Sequence, residues 1–232
     1  MATRAACIMA IIESEPAVRL VIFDFDGTLS DSGGWFLSIV NHLAARYGFR
    51  HVEPGEVETL RRKPTRDVIS ALAIPRWKLP FIARYTRRLF ARNTHQVGLF
   101  PGVAEMLARI EAAGIGIAVV TSNSEANARA VLGEANAARI SWWACGASLF
   151  GKAPKFRKIL AASGVPAAHA LSLGDETRDI DAARETGVRA GAVLWGYANP
   201  EAFAHLSPDI AFATPGEVAA CLSESCKQIA RQ

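Results

Sequence analysis

Leu20-Val21-Ile22-Phe23 is an unbroken apolar run that stops abruptly at Asp24-Phe25-Asp26-Gly27-Thr28. A run of strand length with no polar alternation belongs to a strand covered on both faces, because a strand with one wet face alternates instead. Further short runs follow at Ile115 to Val120, near Trp142 to Ala147, at Ala170 to Leu173, Ala190 to Leu194 and Ile210 to Phe212. Between them lie helix-period segments: Pro101 to Ala113, Glu125 to Leu132, Lys155 to Ala162, Thr177 to Glu185 and Glu217 to Ile229. Three of these close at Gly114, Gly164 and Gly187, as helix ends do where the chain must turn left-handed. Strand and helix in alternation predict an α/β fold, a parallel sheet with helices on both faces.

One stretch breaks the alternation. From Trp35 to Asn93 the helical patterns Trp35 to Tyr47, Thr65 to Leu72 and Leu79 to Arg92 occur with no convincing strand. This predicts an all-helical insert after the first strand. The same stretch is basic: 11 Lys and Arg lie between Arg50 and Arg92 against 4 acids, so it carries +7 of a net +4 and the remainder is acidic. Such charge suits a solvated helix face or the steering of an anionic substrate toward a cleft. No nucleic-acid motif accompanies it.

The four cysteines, Cys7, Cys145, Cys221 and Cys226, are scattered without a C-x-x-C pair. That excludes a zinc ribbon and a disulfide scaffold and suits reduced thiols in the cytoplasm. The apolar segment Ala5 to Ile12 is too short to span a membrane and runs into Glu13 and Glu15, so residues 1–17 are expected to form a loose extension.

Ligands of open parallel sheets bind beyond the carboxyl ends of the strands. Just past the apolar runs stand Asp24 and Asp26, then Thr121, Ser122 and Asn123, then Lys152, then Asp175 and Asp179. All fall on one predicted sheet edge. Carboxylates from two strand ends suit a hard cation such as Mg²⁺, and a lysine and a hydroxyl aimed at the same place suit a phosphoryl group. An aspartate can attack phosphorus, and a second acid two residues on can protonate the leaving group. Thr121-Ser122-Asn123 equally suits the start of the helix at Glu125; capping and anion binding are compatible.

These residues resemble the phosphatase branch of the haloacid dehalogenase-like superfamily. Asp24-Phe25-Asp26-Gly27-Thr28 is similar to its first motif, Thr121 to its second, Lys152 to its third and Gly174-Asp175-Glu176-Thr177-Arg178-Asp179 to its fourth, and the likeness spans about Leu20 to Leu222. The third motif departs from the usual pattern, since Ala153 separates Lys152 from Pro154 and makes Lys155 a rival. The resemblance implies a Rossmann-like core over residues 18–33 and 97–232 and a helical cap over 34–96. It implies Asp24 as nucleophile and Asp26 as general acid and base. Thr121, Ser122 and Lys152 would hold the phosphoryl group. Asp24, Asp175 and the backbone carbonyl of Asp26 would hold Mg²⁺, with Asp179 ligating through water or orienting Lys152. The partner so implied is a small anionic phosphorylated substrate, with no nucleic acid and no membrane; monomer and homodimer stay open. The acid at position 26 argues against a dehalogenase. A phosphomutase of the same fold, or a non-catalytic module gripping a partner with its basic cap, are the alternatives.

Overall fold

A computed structural model describes residues 16–229 apart from 62, 64, 148–150, 198–202, 204 and 205. Most of the expected N-terminal extension, residues 1–15, therefore lies outside the described residues. Six strands make one sheet: β1 (Leu20–Phe23), β2 (Gly116–Val120), β3 (Trp142–Ala144), β4 (Ala170–Gly174), β5 (Arg189–Val193) and β6 (Ile210–Phe212). Their order is β3-β2-β1-β4-β5-β6 and every pairing is parallel. The α/β expectation holds, and β1 lies between β2 and β4.

The period of two in the strands explains why both faces are covered. Val21, Phe23, Ile117, Val119, Leu171 and Leu173 face one way, into a core completed by α5 (Val103–Ala112) and α9 (Pro215–Ile229). Leu20, Ile22, Ala118, Val120 and Ala170 face the other, against α7 (Ala153–Ser163) and α8 (Thr177–Glu185). With β1 wholly buried between two neighbours, no polar residue is tolerated until the strand ends. α6 (Glu125–Ala138) continues past the predicted end at Leu132, but Gly133 sits inside it at φ 73°, so the sequence signal marks a real break.

Between Gly33 and Gln96 the chain forms only helices among the described residues: α1 (Gly33–Tyr47), α2 (Val57–Arg61), α3 (Thr65–Ala71) and α4 (Leu79–Ala91), with three short 3₁₀ turns. This is the helical cap. It owns an apolar cluster that includes Val40, Leu43, Phe49, Leu72 and Ile82, separate from both sheet cores. A second small cluster, Trp35, Phe90 and Val97 with Val131 of α6 against it, ties the roots of α1 and α4 to the core. The five-residue α2 escapes sequence reading because it is shorter than two helical turns. No helix among the described residues is long and apolar enough to cross a membrane.

Candidate active site

Because the strands are parallel, the residues that follow β1, β2 and β4 emerge at one edge. Asp24, buried, follows β1 directly; its amide donates to Leu173 O of β4 at 2.9 Å, which extends the pairing by one residue and holds its backbone rigid. Asp24 Oδ1 accepts from the Phe25 amide at 2.8 Å. Oδ2 is buried without a hydrogen bond of acceptable geometry, although Lys152 Nζ stands 2.6 Å away as an ion pair. One carboxylate oxygen is thus anchored and the other faces the site.

Asp175, at the end of β4, accepts from Thr28 Oγ1 at 3.0 Å and from the Tyr197 amide at 3.1 Å. Asp179 lies in the first turn of α8, where its carboxylate completes a capping box with the Glu176 amide at 3.2 Å and pairs with Lys152. Ligand oxygens of Asp24, Asp175 and Asp179 all lie within 4.8 Å of one another, and all three residues are buried. Burial and the surrounding carboxylates, Asp24 first, push the Asp175 pKa well up. Asp179 is pushed up to about 6, chiefly by burial, with Lys152 pulling it back. Three buried carboxyl groups share one ammonium, so their full ionisation would leave negative charge in excess. An all-oxygen donor set with that charge fits a hard divalent cation.

The two rival lysines occupy different places. Lys152 stands at the start of α7, where a cation meets the unfavourable end of the helix dipole. Burial alone would lower its pKa, but Asp179 and Asp24 outweigh it and hold the ammonium charged. Lys155 donates instead to the carbonyls of Thr121 and Gly146, and burial beside Lys152 brings it down to about 8. Lys152 enters the carboxylate cluster; Lys155 ties the ends of β2 and β3 together.

Asp26 turns away from the cluster. Its carboxylate accepts from Ser32 Oγ at 2.8 Å and from Asn123 Nδ2 at 3.4 Å. Burial, with a smaller push from Asp24, raises its pKa to about 6 against the pull of those hydrogen bonds. Thr121 is buried, and its Oγ1 accepts from the Asn123 amide at 2.9 Å. Ser122 is exposed, and only its place in the loop ties it to the site.

Several supporting residues are invisible to motif reading. Asn127 Nδ2 donates to Asn123 Oδ1 at 2.9 Å and to Arg87 O of α4 at 3.0 Å, linking the cap to the group that holds Asp26. The Tyr197 hydroxyl meets the amide of Gly33 at the start of α1, and Trp195 Nε1 donates to Thr28 O at 2.9 Å. Their positions past β5 carry no local signature; only the fold brings them to the first motif.

Gly27 is required by space as well as by conformation. It sits at φ 87°, and a Cβ there would fall 2.2 Å from Asp175 Oδ2. Gly27→Ala should therefore displace Asp175 and lower catalytic efficiency by about 10²-fold or more, in line with the cost of misplacing a reacting group by about 1 Å. Steady-state kinetics beside an unfolding curve distinguish this from simple loss of fold.

The model of the haloacid dehalogenase-like hydrolases matches residues 21–193. The chain belongs to that family. This hydrolase is 28% identical over 212 residues to a phosphoglycolate phosphatase of Synechococcus elongatus, covering 91% of the chain and 100% of the relative. A phosphoglycolate phosphatase of Xanthomonas campestris is 33% identical over 193 residues, covering 77% of the chain and 84% of the relative. Among solved structures, a haloacid dehalogenase-like family hydrolase of Streptococcus pneumoniae superposes with a TM-score of 0.73 at 19% identity, covering 88% of this chain and 97% of that one. The last likeness speaks to fold alone.

Proposed function

We propose that this hydrolase is a Mg²⁺-dependent phosphatase that cleaves a small phosphate monoester through a phosphorylated Asp24. The observation that carries the reading is the division of labour between two aspartates two residues apart. Asp24 faces Lys152 and the carboxylate cluster, whereas Asp26 is held aside by Ser32 and Asn123 with its pKa raised to about 6. One is placed to attack and the other to exchange protons near neutrality.

Asp24 Oδ2 attacks phosphorus, and the bond to the ester oxygen breaks as the acyl phosphate forms. Asp26 gives its proton to the departing alkoxide. Asp26, now ionised, then takes a proton from a water that attacks the acyl phosphate, releasing orthophosphate and restoring Asp24. Lys152 offsets charge on the transferring group while Asp179 keeps it oriented. Asp24, Asp175 and Asp179 would hold Mg²⁺, which would neutralise phosphoryl oxygens. The phosphate cradle would be Thr121 and the amide of Ser122.

Phosphoglycolate heads the substrate panel because the relatives carry that name. A set of phosphate monoesters with and without Mg²⁺, compared as kcat/KM, tests the class. Activity without added metal after chelation, or no release from any ester, would count against it. The pH dependence tests Asp26. The free enzyme must hold its proton to donate, so kcat/KM should fall as pH rises through about 6. Asp26→Asn should remove that limb and lower kcat by about 10²-fold or more. A limb unchanged in the variant would assign it to another group.

A further inference from the structure

The cap carries a second cleft, of about 410 Å³, between the C-terminal end of α1 and one side of α4, from Trp77 just ahead of that helix to Arg88 in its last turn. Arg46, Lys78, Arg84 and Arg88 line it together with Tyr47, Trp77, Phe81 and Tyr85, and no acid lines it. Its size lies in the range of small-molecule sites. It is not part of the catalytic cleft. Ser32, which holds Asp26, precedes the first residue of α1, Gly33, whereas Arg46 and Tyr47 end that helix. Fourteen residues at 1.5 Å each put about 20 Å between the two ends.

The cations in this cleft are not equivalent. Lys78 is committed to the carbonyls of Tyr47 and Gly48 at the end of α1. The Arg46 guanidinium lies 4.5 Å from the centroid of the Tyr85 ring, with His42 also stacked on that ring. A guanidinium laid on an aromatic face is fixed in position while its in-plane N–H donors stay free for an anion. Arg46, Arg84 and Arg88 have no carboxylate partner among the described residues, whereas Arg50 elsewhere in the cap pairs with Glu56 at 2.7 Å. Gathering unpaired cations in a concavity is electrostatically unfavourable unless an anion offsets them.

The apolar part of the lining is equally out of place. Trp77 is 70% exposed and Phe81 50% exposed, two of the largest apolar side chains left open among the described residues. An exposed indole beside free guanidiniums offers a flat surface for a planar ring and donors for the phosphates attached to it. A second copy of the chain is a poor occupant, since a two-fold contact would set these cations against their own equivalents.

We propose that this cleft is an effector site for a nucleotide, the ring lying on Trp77 and the phosphates on Arg46, Arg84 and Arg88. The occupant would bridge α1 and α4, and both helices lead to Asp26: α1 through Ser32, α4 through Arg87 O, Asn127 and Asn123. Ligation would thereby bias the contacts that hold Asp26.

Calorimetric titration of the full chain with ADP, adenosine and pyrophosphate in Mg²⁺-free buffer tests this. ADP should bind with one site per chain and a dissociation constant in the micromolar range, weakening as salt is raised. Adenosine and pyrophosphate should each bind at least about tenfold more weakly, since each lacks one of the two contacts. Arg84→Gln and Arg88→Gln should each weaken ADP binding about tenfold or more. Trp77→Ala should weaken ADP and leave pyrophosphate unchanged. Lys152→Met, which removes the ammonium of the catalytic site, should bind ADP as the wild type does, which separates this site from the catalytic one. No heat with ADP, equal affinity for ADP and pyrophosphate, or loss of binding in Lys152→Met would overturn the proposal. So would co-sedimentation with phosphatidylserine vesicles in the absence of ADP binding, which would make the aromatic and basic face a lipid contact instead.

Discussion

Asp24→Asn should lower phosphate release by at least about 10³-fold, a rise in barrier of about 4 kcal/mol, while leaving the protein folded. The amide is nearly isosteric with the carboxylate but is a very poor nucleophile. Its local cost is one compromise: the side chain can offer its single oxygen to the Phe25 amide or to Lys152, not to both. A lost hydrogen bond of that kind costs about 1 kcal/mol. Against it stands a gain. Asp24 contributes like-charge repulsion to Asp26, Asp175 and Asp179, so its neutralisation relaxes all three. Lys152 keeps Asp179 as counterion. The variant should therefore melt close to the wild type while its steady-state rate collapses. Retention of activity within about tenfold of wild type would rule Asp24 out as nucleophile.

The sheet was legible because parallel strands must be apolar on both faces, so each reads as a short continuous run. Where a strand reaches solvent the signal blurs: β5 starts at Arg189, whose side chain is partly exposed, rather than at the predicted Ala190. Two of the three carboxylates of the cluster were legible for a related reason. A charged residue directly after a buried run, as Asp24 and Asp175 are, has nowhere to go except the strand-end cleft, whereas Asp179 stands in the first turn of α8 and was legible only from its spacing to Asp175. Lys152 and Lys155 were not separable on those grounds. They lie three residues apart at the start of one helix, and only the register of α7 against β2 and β3 decides which ammonium enters the cluster. Ser32, Asn127 and Tyr197 were not legible at all. Ser32 and Asn127 are ordinary residues near helix starts, and Tyr197 lies 22 positions from the Asp175 it supports. Their importance exists only once distant segments meet.

Asp175→Asn should make the metal-free protein more stable at pH 8 even as it destroys activity. Asp175 is buried among Asp24, Glu176 and Asp179, and its pKa is pushed well above the ordinary carboxylate range. A carboxyl whose folded pKa exceeds its unfolded one keeps its proton in the fold after the unfolded chain has lost it. Stability is then greatest at low pH, declines as pH rises from the ordinary carboxylate value through the folded value, and stays reduced above it. Asp26 and Asp179, both raised to about 6, act in the same direction. For buried Asp179 a shift of that size corresponds to about 3 kcal/mol, shared with Lys152 and its neighbours rather than its own. An asparagine at 175 removes one charge and keeps both contacts, because its oxygen can accept from the Tyr197 amide while its amide donates to Thr28 Oγ1. Thermal melts in a chelator should show the variant higher by about 3 °C or more at pH 8, with the difference closing toward pH 4. Mg²⁺ reverses the order by mass action: at a hundred times its dissociation constant it would stabilise the wild type by about 2.7 kcal/mol, and the variant by much less. Equal Mg²⁺ shifts in both proteins would remove Asp175 from the metal site. A variant less stable than wild type at pH 8 without metal would mean that its charge is better compensated than the fold indicates.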